Sequence, residues 1–126
     1  MRSLDGLDEA ALAALVRRFY AAVRADPQLG PVFAAAVDDW DEHERRLVDF
    51  WTSLMLGSGR YRGNPAQLHL RHAAHIRPEL FARWLALWRR CSEQSLPPAH
   101  AAAVQARAGR IAEHLQRLLA QARADH

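Results

Sequence analysis

Residues 39–57 read DWDEHERRLVDFWTSLMLG. Trp40, His43, Leu47, Phe50, Trp51 and Leu54 fall at offsets of 0, 3, 7, 10, 11 and 14 along that stretch. Such spacing puts all six on one face of a helix with a 3.6-residue period. Gly57-Ser58-Gly59 ends the pattern, as glycine does at helix C-termini. The six residues are predicted to form a buried stripe, which leaves one histidine on an otherwise apolar face.

Outward from this helix the chain keeps the same character. Upstream, a helix is predicted to start after Gly6, with Asp8 as cap or first-turn acid, and to reach about Arg24. Leu12, Leu15, Val16, Phe19 and Val23 recur along it at spacings of three and four. Asp26-Pro27 stops it, because proline disfavours a helical residue before it. Leu29 to Ala36 holds one short helix, with Pro31 near its start. Downstream, residues 60–64 read as loop, and Pro65 opens a helical turn carrying Leu68 and His69. Pro78 lies near the start of a helix on which Phe81, Trp84, Leu85 and Trp88 share a face. Pro97-Pro98 punctuates, and a last helix runs from about Pro98 to Arg123. Its predicted buried stripe is Val104, Ala108, Ile111, Leu115 and Leu118.

Alternating β-branched runs are missing, while Ala, Leu, Arg, Glu and Gln dominate. The fold class is therefore all-α, with helices packed on helices around one core. The stretch from Gly57 to Arg77 has weak periodicity, which is uncommon inside a compact domain unless something other than protein organises it.

The chain has 126 residues, half of them apolar. That size and composition suit a single domain over residues 1–126 and argue against disorder. All 17 basic residues are Arg, set against 14 acidic ones. Because they are scattered, they point only weakly to nucleic acid, and no nucleic-acid partner is expected. One cysteine, Cys91, excludes an intrachain disulfide and suits a reducing compartment. The opening MRSLDGLDEA has no apolar run with a cleavage site, and no stretch approaches about 18 consecutive apolar residues. A cytoplasmic protein without membrane contact is expected.

Three polar side chains sit on apolar faces: Tyr20, His43 and Trp84. Each carries a donor that needs a partner when buried. Each could be satisfied separately by backbone or water. Together, on three helices, they could line the polar end of an apolar cavity. His69, His72 and His75 form a second feature. On a continuous helix the first and last diverge by about 120°, so a three-histidine zinc site is disfavoured. One of the three as axial ligand to a planar iron cofactor demands less. Cys91 follows Arg89 and Arg90, which could lower its pKa, but it reads as an ordinary thiol among exposed residues. Gly57-Ser58-Gly59 lacks the lysine and strand context of a phosphate loop.

Several motifs then go together. They are Phe19-Tyr20 followed by Val23-Arg24-x-Asp26-Pro27-x-Leu29-Gly30-Pro31-x-Phe33; Trp40-x-x-His43 ahead of Phe50-Trp51; Leu56-Gly57-x-Gly59-x-Tyr61-x-Gly63-x-Pro65-x-x-x-His69; and Phe81-x-x-Trp84-Leu85. From about residue 8 to residue 120 the chain resembles the truncated haemoglobins, specifically their third group. The resemblance implies a globin fold trimmed to a two-on-two helical sandwich around haem b. It places His69 as the proximal iron ligand and Tyr20, His43 and Trp84 in the distal pocket. Phe33 would pack against the porphyrin, with Leu47, Phe50, Trp51, Leu54 and Leu68 lining the pocket.

The function then implied is binding of oxygen, carbon monoxide and nitric oxide at five-coordinate iron. Tyr20 and Trp84 would donate hydrogen bonds, while His43 would gate entry or bind the iron itself. A second reading on the same scaffold is a nitric oxide dioxygenase or peroxidase-like enzyme served by an external reductase. The chain carries no flavin or nicotinamide motif of its own. A haem-free helical interaction or DNA-binding module is the third.

Overall fold

The computed structural model describes residues 6–59 and 77–124. They form five helices: α1 (Glu9–Ala25), α2 (Leu29–Ala36), α3 (Trp40–Leu56), α4 (Pro78–Ser95) and α5 (Pro98–Ala124). No strand occurs among the described residues. Local chemistry accounts for the ends. The Asp8 carboxylate accepts from the Ala11 amide at 2.9 Å and Asp39 from Glu42 at 3.2 Å, each satisfying an orphan N–H of a first turn. Pro78 and Pro98 occupy first turns, where no amide donor is needed. Gly57 closes α3 in the left-handed region at φ 70°, which a side chain would resist.

The helices pack as two pairs, α1 with α3 and α4 with α5, joined through α1 against α4, while α2 leans on α1 and α4. α1 is the hub. Leu12, Leu15, Val16, Phe19 and Val23 are all buried, meeting Trp51 of α3, Trp88 of α4 and Val104 of α5 in one core. Trp88 stacks on Trp51 with ring centroids 4.5 Å apart, takes the edge of Phe19 at 5.0 Å, and donates its indole N–H to the Val104 carbonyl at 3.2 Å.

The corner between α1 and α2 is built on Asp26. Its carboxylate accepts from the Gln28 and Leu29 amides, each at 2.8 Å, and so caps α2 from two residues upstream of Gln28. Arg83 of α4 reaches the same carboxylate, with Nε 2.8 and 2.7 Å from its two oxygens. Gly30 allows the close turn, since a Cβ there would lie 2.9 Å from the Arg24 carbonyl oxygen. Burial by itself raises the Asp26 pKa, but the two amides and the Arg83 guanidinium outweigh it and hold the group below its ordinary value. A depressed carboxyl stabilises the fold above its unfolded pKa of about 4, and that contribution is lost as pH falls through the lower folded value. Asp26→Asn keeps a capping oxygen and removes the charge. It is expected to cost about 1–2 kcal/mol at pH 7, limited by the partial exposure of Arg83. Urea unfolding followed from pH 7 downward should show the difference from wild type shrinking below about pH 4.

Three expectations need correction. The α3 stripe is not buried as a whole: Trp51 is, but Trp40, His43, Leu47, Phe50 and Leu54 are only partly covered. α3 packs on α1 and, through Trp51, on Trp88 of α4, while Trp40, Leu47, Phe50 and Leu54 lie against that core with part of their surface left uncovered. The last helix buries Val104, Ala108, Ala112, Leu115 and Leu119, leaving Ile111 and Leu118 on the flank. Both sets fit a helical period, and packing of Ala112, Leu115 and Leu119 on Phe81 selects the observed one. Cys91 is buried, because it follows Leu87 and Trp88 by one turn on the inward face of α4. Burial pushes its thiol pKa up, against the opposing pull of Arg90 and Arg18.

Candidate functional site

Tyr20 is the centre of an aromatic cluster drawn from three helices. Its position one residue after Phe19 on α1 turns it from the middle of the core toward the α2–α3 side. The Phe33 ring of α2 lies 6.0 Å away, Trp40 of α3 6.0 Å and His43 of α3 5.0 Å, the last edge-on at 84°. Trp40 and His43 are one helical turn apart and meet edge-on at 6.0 Å. The Arg24 guanidinium sits 4.7 Å over the Trp40 ring and closes the cluster from the end of α1.

Trp84 enters from α4. Phe19 separates it from Tyr20, with centroids 5.8 Å from Trp84 and 5.0 Å from Tyr20. Trp84 also lies parallel to Trp88 at 6.4 Å. The two indoles differ in their polar ends. Trp88 spends its N–H on a core carbonyl. No hydrogen bond joins the Trp84 N–H, or the Tyr20 hydroxyl, to another described residue.

Tyr20 is buried among rings, and burial, with the Glu44 carboxylate adding to it, pushes its phenol above its ordinary pKa. The hydroxyl therefore stays protonated and available as a donor throughout the working pH range. Leu47, Phe50 and Leu54 continue the apolar wall along α3, while Trp51 turns into the core against Trp88. An apolar, aromatic wall with a few unspent donors fits a flat apolar cofactor that presents one small polar ligand.

The fold thus brings Tyr20, Phe33 and His43 together, with Trp84 one ring away. His69 and Leu68, and with them His72 and His75, lie outside the described residues. Among the described residues no group of three or more His, Cys, Asp or Glu is placed to hold a metal ion, and no helix is long and apolar enough to cross a membrane. Sequence reasoning missed Arg83 altogether and named Asp26 only as a helix stop and a member of the motif ending at Phe33. Its partner lies 57 residues away, beyond any helical period. Arg24 over Trp40 was equally invisible.

Helices packed in two pairs beside such an aromatic wall are the arrangement expected of a globin. The bacterial-like globin family matches residues 5–116. Over 119 residues the chain is 32% identical to the group 3 truncated hemoglobin ctb of Campylobacter jejuni, covering 91% of this chain and 93% of that protein. The crystal structure of group III truncated hemoglobin from Campylobacter jejuni superposes with a TM-score of 0.83 at 31% identity, over 91% of this chain and 93% of that one. The chain therefore belongs to the bacterial-like globins and, within them, to the group III truncated haemoglobins. Membership implies a haem cofactor and the binding of diatomic gases such as oxygen.

Proposed function

We propose that this protein binds oxygen, carbon monoxide and nitric oxide at a five-coordinate haem b held by His69. Phe33, Leu47, Phe50, Leu54 and Leu68 would form the apolar walls, with Trp51 behind them in its stack on Trp88, and Tyr20, His43 and Trp84 would face the ligand. When bound, the cofactor supplies an iron with an open position where a diatomic gas draws negative charge.

The observation that carries this reading is the Tyr20 hydroxyl. It is buried, held in its protonated form, and hydrogen-bonded to no other described residue. With no acceptor among the described residues, that hydroxyl is left for a ligand to accept from. Trp84 offers a second such donor from another helix. A hydrogen bond to a charged acceptor is worth about 1.5–3 kcal/mol. Each 1.4 kcal/mol is tenfold in release rate. Two donors therefore retain a ligand strongly, which suits capture, sensing or chemistry better than bulk transport. His43, edge-on to Tyr20 and Trp40, would gate entry or bind the iron itself.

The test is an absorption spectrum of purified protein, oxidised and reduced, with and without carbon monoxide. A haem spectrum that responds to carbon monoxide is expected. His69→Ala should lose the five-coordinate ferrous spectrum and regain it with added imidazole, whereas His72→Ala should leave it intact. Colourless protein that stays so after hemin is supplied removes the proposal.

The same paired donors can polarise an O–O bond, which favours nitric oxide dioxygenation or peroxidase-like turnover as the second reading. An external reductase would then supply electrons. Sustained, reductant-dependent consumption of nitric oxide under oxygen separates this from simple binding.

A further inference from the structure

The pair of Asp26 and Arg83 lies outside the ligand pocket, yet it joins the elements that carry the two donors. Asp26 closes α1, six residues beyond Tyr20. Arg83 immediately precedes Trp84 on α4. The Asp26 side chain is 5% exposed and holds Arg83 Nε through both oxygens while also capping α2. One carboxylate thus fixes the end of α1, the start of α2 and the second turn of α4. The Glu42–Arg46 and Arg89–Glu93 pairs are different. Each is exposed and lies within a single helix, so neither sets one helix against another.

Stability alone is a poor account of such a group. Burying a carboxylate costs several kcal/mol, and well-packed apolar replacements often do as well. A directional ion pair adds geometry: it resists sliding and rotation, which apolar contacts tolerate. Nearest the donors, the two segments meet at the Phe19 ring, edge-on to both Tyr20 and Trp84, while farther along the helices Phe19 also meets Trp88 and Arg18 donates to Gln94 at 3.3 Å. Edge-on ring contacts accept small shifts over a range of angles. A helix is stiff over one residue, so the place of Arg83 dictates that of Trp84.

We propose that Asp26 and Arg83 are positioning residues that set the register of α4 against α1, and so fix the Trp84 indole N–H relative to the Tyr20 hydroxyl for ligand retention. This rests on the ligand-binding reading above. Neither residue touches the ligand; both act through Trp84.

The experiment compares Arg83→Met, Arg83→Lys and Asp26→Asn, of which the two Arg83 substitutions leave the α2 cap untouched. Three quantities are measured. They are the C–O stretching band of the carbon monoxide complex, the oxygen dissociation rate, and the Trp84 indole N–H resonance of haem-free protein, assigned by its loss in Trp84→Phe. Arg83→Met is expected to split or shift the C–O band, to speed oxygen release roughly tenfold, and to move the Trp84 resonance, since about 1 Å of misplacement can cost up to ~100-fold. Arg83→Lys should restore these readouts in part. In a Trp84→Phe background, Arg83→Met should add nothing further to the release rate.

A purely structural pair predicts otherwise: a lower melting temperature with band, rate and resonance as in wild type, which overturns the proposal. So does an Arg83→Met effect that persists undiminished without Trp84. The haem-free resonance keeps the two readings apart. If it moves in a protein that takes up no haem, the register claim stands and the ligand reading fails. If it stays fixed, the register claim fails whatever the cofactor.

Discussion

Tyr20→Phe is expected to speed oxygen release by about ten- to a hundredfold, with little change in folding stability. The substitution removes one oxygen atom and keeps the ring against Phe19, Phe33, Trp40 and His43. A lost hydrogen bond to a charged acceptor is worth about 1.5–3 kcal/mol, which converts to that range. Stability should barely move, because the hydroxyl bonds to no other described residue. The two readouts together separate a ligand donor from a structural hydroxyl. Stopped-flow displacement of oxygen by carbon monoxide gives the rate, and thermal unfolding gives the stability. Trp84→Phe belongs in the same series, with a smaller effect expected because its ring is only partly buried. Rates equal to wild type in both variants would strip these residues of the roles assigned to them.

Trp88→Ala should be the most destabilising single change, at about 3–5 kcal/mol. The ring is almost fully buried, at 2% exposure. It contacts Trp51, Phe19 and Trp84, and so ties α3, α1 and its own α4 together. Truncation opens a cavity among them and strips the buried Val104 carbonyl of its indole donor. A domain of this size should melt at least ~10 °C lower, read by helical circular dichroism. Trp88→Phe keeps much of the volume and loses the hydrogen bond, so a smaller drop is expected. Equal melting of Trp88→Ala and wild type would mean that the stack carries no weight in the core.

These two tryptophans, one turn apart on α4, illustrate how far the sequence can be read. Their spacing put both on one apolar face, and both are on it. Which of them keeps a free donor is a property of what lies opposite. Trp88 faces the Val104 carbonyl of α5, and Trp84 faces the ring of Phe19. The α3 stripe tells the same story. Its six residues share a face as expected, but only Trp51 is deeply covered, because helical period reports direction and not the size of the neighbour. For α5 the alanine-rich sequence allowed two adjacent stripes, and small side chains give a weak signal to choose between them.

The five helices described, most of their ends and the identity of the polar side chains on apolar faces were written in the chain itself. Caps, prolines and three-to-four spacings act within a few residues, and the motifs from Phe19 to Trp84 sufficed to indicate a trimmed globin. Packing of remote segments settled the rest: the burial of Cys91, the Trp51–Trp88 stack, Arg24 over Trp40, and the bond from Arg83 back to Asp26. Such contacts join residues up to 57 positions apart, where no local period extends, so they arise only once the helices have met.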